Sequence, residues 1–521
     1  MTRKFLVIRL GSLGDVILSS APVLNLRLTF PDSSISFLTR ERFRPVVEMF
    51  DGVDHVITLP DYPSIGEFAN LVVTLDDRAF DTIIDLHGNF RSWLIRKMTA
   101  ANHKFTYPKR RRERFQLVRT HRIPPTWPHT IDLYNKAVSR AGGRVIADWP
   151  LLKTDSQSSD AGPSSLVVIA PGAKHPTKQW PLERFAQTAA KIHREHEVHI
   201  AWVVTAEDDI KLDLHDYLPA SHFTRFIDRP ISDLASVIGR ASLVLANDSG
   251  IAHLSSAVGT PTLALFGPTH PALGFAPRSV YPSVIEVAES CRPCSLHGKK
   301  PCWREQRFCL THISVDDVAA RARAVLDQYK PLTKALILDR DGTVMVNRHY
   351  LSDPDGVQLE ATVLEALTIA QNHGWKIVIV SNQSGVARGM MTVEQVERVN
   401  ARLLQLLTAQ GVRVDGIWYC PHHSTKGVVP EYAIDCRCRK PRHGLVEEAA
   451  RQLGFSIRRS VVIGDHLDDY LMGRALGARS LIVRTGHGRE TEEDLVRRGY
   501  GATEVVFPTL LAAVSSVVAE G

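Results

Sequence analysis

Residues 334–343 read Lys334-Ala-Leu-Ile-Leu-Asp339-Arg340-Asp341-Gly342-Thr343. The apolar run before Asp339 has the composition of a strand buried on both faces of a parallel sheet. Two carboxylates, two residues apart, follow at its end. That spacing suits phosphoryl transfer: the first carboxylate attacks phosphorus and the second handles the proton of the leaving group. A divalent cation is needed as well, because an anion must approach an anion. The plainer alternative is a strand followed by an acidic turn, since Asp-Gly is a common turn pair.

Three further stretches argue for the chemistry. Val378-Ile-Val-Ser381-Asn382-Gln383-Ser384-Gly385 ends a second strand with hydroxyl and amide donors, which suit phosphate oxygens. Arg439-Lys440-Pro441 offers two adjacent cations, one a point charge and one a bidentate fork. Val461-Val-Ile-Gly464-Asp465 ends a third strand with a carboxylate suited to a magnesium ion beside Asp339 and the backbone carbonyl of Asp341, and Asp469 stands one helical turn beyond it. In this order, the motifs resemble those of the haloacid-dehalogenase-like (HAD-like) phosphatases over nearly all of residues 334–500. That resemblance implies a Rossmannoid fold, an aspartyl-phosphate on Asp339 and Asp341 as acid–base partner. It also implies phosphate or substrate contacts from Ser381, Asn382, Arg388, Arg439 and Lys440.

Cys420-Pro421-His422-His423 and Cys436-Arg437-Cys438 give three thiols and an imidazole in two tight pairs. This donor set suits a closed, structural zinc site. Either His422 or His423 can complete it; the resemblance favours His422. A zinc loop ending beside Arg439-Lys440 is shared by the phosphatases of heptose 1,7-bisphosphate and those of histidinol phosphate. His466 stands where a lysine is common in the heptose group.

Upstream, strand-like runs alternate with helical patterns in two segments, residues 1–152 and 165–330, separated by the Ser-rich stretch Lys153–Ser165. A third segment spans 334–521, and the apolar stretch after Pro508 reads as a helix packed on it. About three α/β domains fit the length. The first segment opens Arg9-Leu-Gly-Ser-Leu-Gly-Asp15. The second carries Pro171-Gly-Ala-Lys174, Lys178-Gln-Trp-Pro181 and Asn247-Asp248-Ser249-Gly250-Ile251-Ala-His253 after strands. Two lysines and a helix N-terminus suit a diphosphate. With Asp85-Leu-His-Gly88, these motifs resemble the ADP-heptose:lipopolysaccharide heptosyltransferases over residues 4–325. The resemblance implies a two-Rossmann GT-B fold with the sugar nucleotide held mainly by the second half. It also implies Asp15 as the base for inverting attack, Lys178 and the helix at Asp248 on the departing ADP, and Glu207 on the ribose. His253 is either a substrate contact or a packed structural histidine.

The net charge of +7 is modest for 521 residues and gives no argument for nucleic acid. The dense run Lys109-Arg-Arg-Arg-Glu-Arg114 is either a solvated face or a patch for an anionic acceptor or membrane surface. The implied acceptor is the Kdo- and heptose-bearing inner core of lipopolysaccharide, reached through peripheral contact with the inner membrane. No apolar run approaches the ~20 residues of a membrane span, and the first strand, broken by Arg9, does not read as a signal peptide; a cytoplasmic enzyme is expected. All seven cysteines fall in two groups. The second group, Cys291, Cys294, Cys302 and Cys309, leaves zinc, an iron–sulfur cluster or free thiols open.

The combined expectation is one chain with two activities: heptose transfer from ADP-heptose, and hydrolysis of the 7-phosphate of heptose 1,7-bisphosphate. Its rivals are a histidinol-phosphate phosphatase at the C-terminus, or one half reduced to a binding module.

Overall fold

The computed structural model describes residues 2–154, 165–278, 280–281, 284–501 and 505–519. Residues 155–164, most of the Ser-rich stretch, lie outside them. The chain forms two compact units, Met1–Asp327 and Gln328–Gly521.

The first unit contains two sheets and the second unit one. In space the first sheet runs His55–Leu59, Ser34–Arg40, Lys4–Ile8, Phe80–Asp85, Ala101–Thr106. Taken from its other edge, the second runs Phe223–Ile227, His199–Val204, Leu166–Ala170, Leu243–Asn247, Thr262–Leu265, Val284–Ile285. The third runs Gly416–Cys420, Lys376–Asn382, Ala335–Leu338, Val461–Gly464, Arg479–Val483, Val506–Phe507. Every pairing among these strands is parallel. Numbered within each sheet, all three share the order 3-2-1-4-5.

That order reverses direction between strands 1 and 4, and ligands of open α/β sheets bind in the crevice opened there, at the carboxyl ends. The register fixes what meets at each crevice. Ile8 lies opposite Asp85, Ala170 opposite Ala246, and Leu338 opposite Ile463. The residues that follow, including Asp15, Asp248, Asp339 and Asp465, are therefore delivered to a switch point by topology.

The central strands are buried on both faces, as their near-continuous apolar sequences require; Leu6, Ile8, Val167, Ile169, Ile337 and Ile463 have no exposed surface. In the first unit one continuous core joins both sheets' helices. Helix Leu13–Leu18 packs on helix Gly250–Val258, and Leu13 lies so close to Gly250 that a Cβ there would fall 2.6 Å from its Cδ2. In the second unit helix Leu510–Ala519 packs against Val363–Asn372 and buries Leu510, Ala513, Val514 and Val517. Among the described residues no helix is long and apolar enough to cross a membrane.

Candidate active sites

In the second unit, Asp339 leaves its strand and meets Lys440. The Lys440 ammonium lies 2.7 Å from Asp339 Oδ1 and 2.6 Å from Asp469 Oδ1, and donates to the carbonyl of Val380 at 2.9 Å. The lysine is 3 % exposed, so these are its working partners. Its position is set from behind by Asn382, whose side-chain oxygen accepts from the Lys440 amide and whose nitrogen donates to the Lys440 carbonyl. Asn382, expected on the substrate, thus has both amide atoms engaged with the backbone of Lys440.

Carboxylate oxygens of Asp339, Asp465 and Asp469 lie within 4.8 Å of one another. Burial, with the neighbouring carboxylates adding to it, pushes Asp339 up to about 7 and Asp465 up to about 8. Lys440 opposes both shifts but is one cation among three acids. Such a donor set fits a hard divalent cation. Gly342 and Gly486 admit Asp465: a Cβ on either would fall about 2 Å from Asp465 Oδ2 (2.2 and 2.1 Å). The Asp465 carboxylate also accepts from the His487 amide at 2.8 Å.

Asp341 is steered differently. Arg340, which is 1 % exposed, donates to both of its oxygens at 3.1 Å, and Gln383 Nε2 donates to Oδ2 at 2.8 Å. Ser381 Oγ sits 3.4 Å from the same oxygen and accepts from Gln383 at 2.7 Å. Gln383 was not among the expected site residues; its place in the Ser-Asn-Gln run was its only signal. Arg388 lies over the Tyr350 ring at 5.6 Å, and its buried Nε has no hydrogen-bond partner among the described residues. Arg439 reaches the carbonyl of His422 at 3.4 Å.

Cys420, His422, Cys436 and Cys438 converge within 4.8 Å. Cys420 Sγ lies 3.5 Å from Cys436 Sγ and 3.3 Å from Cys438 Sγ, and His422 Nδ1 lies 3.2 Å from Cys438 Sγ. The cysteines are free thiols. A tetrahedral ion with ~2.3 Å metal–sulfur bonds has edges of about 3.8 Å, so the set is close to that size. His423 instead accepts from the Lys426 amide through Nδ1 at 3.1 Å, which ties it to its own turn.

In the first unit Asp15 is the N3 residue of its helix and accepts from the Ser12 amide and hydroxyl at 3.2 and 2.8 Å. Arg9, buried at the strand end, pairs with it at 2.6 Å and donates to the Leu86 carbonyl. Tyr134 Oη approaches Asp15 at 3.4 Å. Burial alone would raise the Asp15 carboxyl; the Arg9 guanidinium and the Ser12 bonds outweigh it and hold the carboxyl below its ordinary value. Arg9 is a site residue whose signal was a charge interrupting an apolar strand.

Opposite, Lys178 Nζ pairs with Asp248 Oδ2 at 2.6 Å, and Thr269 donates to the same oxygen at 2.7 Å. Ser249 caps helix Gly250–Val258, and its buried hydroxyl has no hydrogen-bond partner among the described residues. Ile251 lies in the first turn of that helix, half-buried. His253 is buried, with no hydrogen-bond partner for Nδ1 among the described residues and its ring against Gly14: a Cβ there would fall 2.5 Å from its Cδ2. Burial lowers its basicity below the ordinary histidine value, against the charges of Asp248 and Asp15. Lys174 is exposed on the loop after its strand. Glu207 stands at the carboxyl end of the neighbouring strand, 83 % exposed and paired with Lys211 at 3.1 Å.

The basic run is not uniformly solvated. Arg114 is buried, over the Phe275 ring and bonded to Thr130. Lys109 leans onto Gly88, and burial, with Arg111 and Arg9 nearby, pushes it down to about 8. Arg111 donates to the Gly88 carbonyl at 2.9 Å. Asp85 holds this loop by accepting from the amides of His87 and Gly88.

Residues 68–302 match the model of glycosyltransferase family 9 (heptosyltransferase), and residues 437–513 match a HAD-hydrolase-like model. A D-glycero-beta-D-manno-heptose-1,7-bisphosphate 7-phosphatase of Haemophilus influenzae is 38 % identical over 159 residues, 30 % of this chain and 84 % of that protein. Among solved structures, a D,D-heptose 1,7-bisphosphate phosphatase from B. bronchiseptica, complexed with magnesium and phosphate, is 29 % identical. It covers 36 % of this chain and all (100 %) of its own, with a TM-score of 0.32. The E. coli ADP-heptose lps heptosyltransferase II is 22 % identical, covering 62 % of this chain and 99 % of its own, with a TM-score of 0.49. The chain is an enzyme that belongs, through its C-terminal unit, to the HAD-like heptose 1,7-bisphosphate phosphatases and carries a glycosyltransferase family 9 domain in its N-terminal part.

Proposed function

We propose that the chain is a bifunctional enzyme of lipopolysaccharide heptose metabolism. The phosphatase half removes the 7-phosphate of D-glycero-D-manno-heptose 1,7-bisphosphate. The transferase half moves heptose from ADP-heptose to an inner-core acceptor bearing Kdo or heptose. The observation that carries the first assignment is the Asp339–Lys440–Asp465 cluster in a unit homologous to heptose bisphosphatases along most of their length.

For hydrolysis, Asp339 Oδ attacks phosphorus while the bond from phosphorus to the sugar oxygen breaks. Asp341 gives that oxygen its proton, and the arginine and glutamine on its flanks aim it. Water then cleaves the aspartyl-phosphate, with Asp341 as base. Lys440 holds Asp339 and offsets charge on the phosphoryl group; Ser381, Arg388 and Arg439 border the substrate. Asp339, Asp465 and the Asp341 carbonyl would hold magnesium, which supplies the remaining charge neutralisation when bound. Zinc on Cys420, His422, Cys436 and Cys438 would be structural and fix the loop that leads into Arg439 and Lys440.

For transfer, Asp15 takes the proton of the acceptor hydroxyl as its oxygen attacks the anomeric carbon, and the bond to ADP breaks with inversion. Lys178 and the amides at Ser249, Gly250 and Ile251 receive the charge that develops on the diphosphate. Lys174 and His253 border the donor, and Glu207 accepts from its ribose. Lys109 and Arg111 face an acidic acceptor presented at the cytoplasmic side of the inner membrane, where the chain would make peripheral contact.

The test is phosphate release by the full-length protein from both anomers of the bisphosphate, with histidinol phosphate as control. Preference for histidinol phosphate overturns the substrate assignment.

A further inference from the structure

The group Cys291, Cys294, Cys302 and Cys309 has no part in the chemistry above. All four thiols are free and wall a single pocket together with Thr177 and Arg307. Three of the four cysteines lie in residues 286–307, which contain no helix or strand, and Cys309 follows in helix Phe308–Thr311. Irregular segments longer than about 12–15 residues in a compact domain need a function or a staple. This one is pinned at its margins. Buried Arg292 donates to the carbonyls of Gly267 and Thr269 and pairs with Glu286 at 2.7 Å, and Arg304 pairs with Glu289 at 2.9 Å. Among the described residues its thiol-lined interior shows weak sulfur contacts, Cys294 to the Pro268 carbonyl at 3.6 Å and Cys302 to the Gln306 carbonyl at 3.8 Å. The sulfurs stand wider apart than those of the Cys420 set, so binding an ion would draw them inward.

The same segment backs the donor lysine. Gly298, between Cys294 and Cys302, lies against Lys178: a Cβ there would fall 2.7 Å from Cγ. Thr177 donates to the Gly298 carbonyl, and Arg307 donates to the Pro176 carbonyl. The thiol pocket and the loop of Lys178 therefore share a wall.

We propose that Cys291, Cys294, Cys302 and Cys309 hold one thiophilic transition-metal ion, zinc or iron, that staples residues 286–307 against Lys178 and so fixes the diphosphate side of the donor site. Four thiolates bind either ion, with a thiol proton released for each bond formed. The role at the donor rests on the transferase reading; the presence of the ion does not.

The experiment counts metal per full-length chain by mass spectrometry. Wild type, the pair Cys291→Ser/Cys294→Ser and the pair Cys436→Ser/Cys438→Ser are compared, with visible absorbance separating iron from zinc. Two thiolate-bound ions are expected in wild type and one in each pair. Gly298→Ala, which leaves all four thiols in place, should keep both ions while KM for the sugar nucleotide rises roughly tenfold, the scale of one weakened charged contact, because its Cβ displaces Lys178. Alkylation of all four thiols in the native wild-type chain, or unchanged metal in the Cys291/Cys294 pair, overturns the site. Unchanged KM in Gly298→Ala overturns the donor role. Two ions in a wild type that transfers no heptose would leave the site standing and remove the transferase reading instead.

Discussion

Asp15 and Asp339 both follow the first strand of a sheet with the same strand order, Asp15 at the start of the next helix and Asp339 directly at the strand end, and each meets a buried cation at nearly the same distance, Arg9 at 2.6 Å and Lys440 at 2.7 Å. Their charge balances are opposite. Around Asp15 burial would raise the carboxyl, but the Arg9 guanidinium and the Ser12 hydrogen bonds outweigh it and hold the carboxyl down. Around Asp339 burial prevails, helped by the charges of Asp469 and Asp341, while Lys440 is shared between Asp339 and Asp469, and the carboxyl is pushed up to about 7. The crevice beside the first strand thus holds in one sheet a carboxylate kept low beside a cation, and in the other a carboxylate raised in a site that calls for a cation.

The largest expected effect separates the two. Asp339→Asn should reduce phosphate release roughly 10⁴-fold or more, as loss of a covalent nucleophile does, and leave heptose transfer within about twofold. Asp15→Ala should reduce transfer by about 10²–10⁴-fold, the usual range for a lost general base, and leave phosphate release unchanged. Either variant impairing both activities equally would end the assignment of one reaction to each unit.

The acid-rich site should also show its imbalance in stability. Asp339 and Asp465 have folded-state values above their unfolded ones, near 3.9. Their contribution is favourable below the unfolded value and is lost as pH rises through about 7 and about 8. Magnesium should therefore raise the melting temperature of the phosphatase unit by several degrees at pH 8 and by much less at pH 5.5. Equal shifts at both values would contradict the charge account.

Asp15 carries the reverse sign. Its pairing with Arg9 contributes stability above the unfolded carboxylate value and loses it as pH falls through the lower folded one. Arg9→Met leaves burial unopposed by the guanidinium. The acid limb of kcat/KM for transfer should then move up by about 1–3 pH units, the shift an adjacent arginine typically imposes. A profile that only drops, without moving, would make Arg9 a packing residue.

Local sequence revealed strand ends well, because an apolar run followed by Asp, Gly or Ser marks both a buried parallel strand and its carboxyl edge. Asp339, Asp465 and Asp248 were legible for that reason. Contacts made across the chain were less so. Nothing local to Asn382 says that its amide clamps Lys440, 58 residues away. The His253 ring against Gly14 joins positions that only the packing of two helices brings together. The basic run reads as either a solvated face or a patch, yet it divides, since helix Arg111–Thr120 turns Arg114 inward onto Phe275 and leaves Arg112 outside.

The smallest expected effect falls on Glu207, where the resemblance named a ribose contact. In the structure its carboxylate is 83 % exposed, with Lys211 as its ion-pair partner, and Lys211 also pairs with the better-buried Asp208 at 2.8 Å. Exposed i,i+4 pairs are screened by solvent and contribute little, so Glu207→Gln should barely change stability. A hydrogen bond between a charged acceptor and a bound hydroxyl is worth about 1.5–3 kcal/mol. If Glu207 swings onto the ribose, KM for the sugar nucleotide should rise by about tenfold or more, with kcat nearly unchanged, because the ribose contact is the same in ground and transition states. If Asp208 is the ribose acceptor, Glu207→Gln leaves KM within about twofold and Asp208→Asn carries the loss. Asp208 Oδ2 lies 3.7 Å from where a Cβ on Gly172 would stand, beside the loop of Lys174. Measuring both variants against ADP-heptose therefore decides which of two adjacent carboxylates the donor uses.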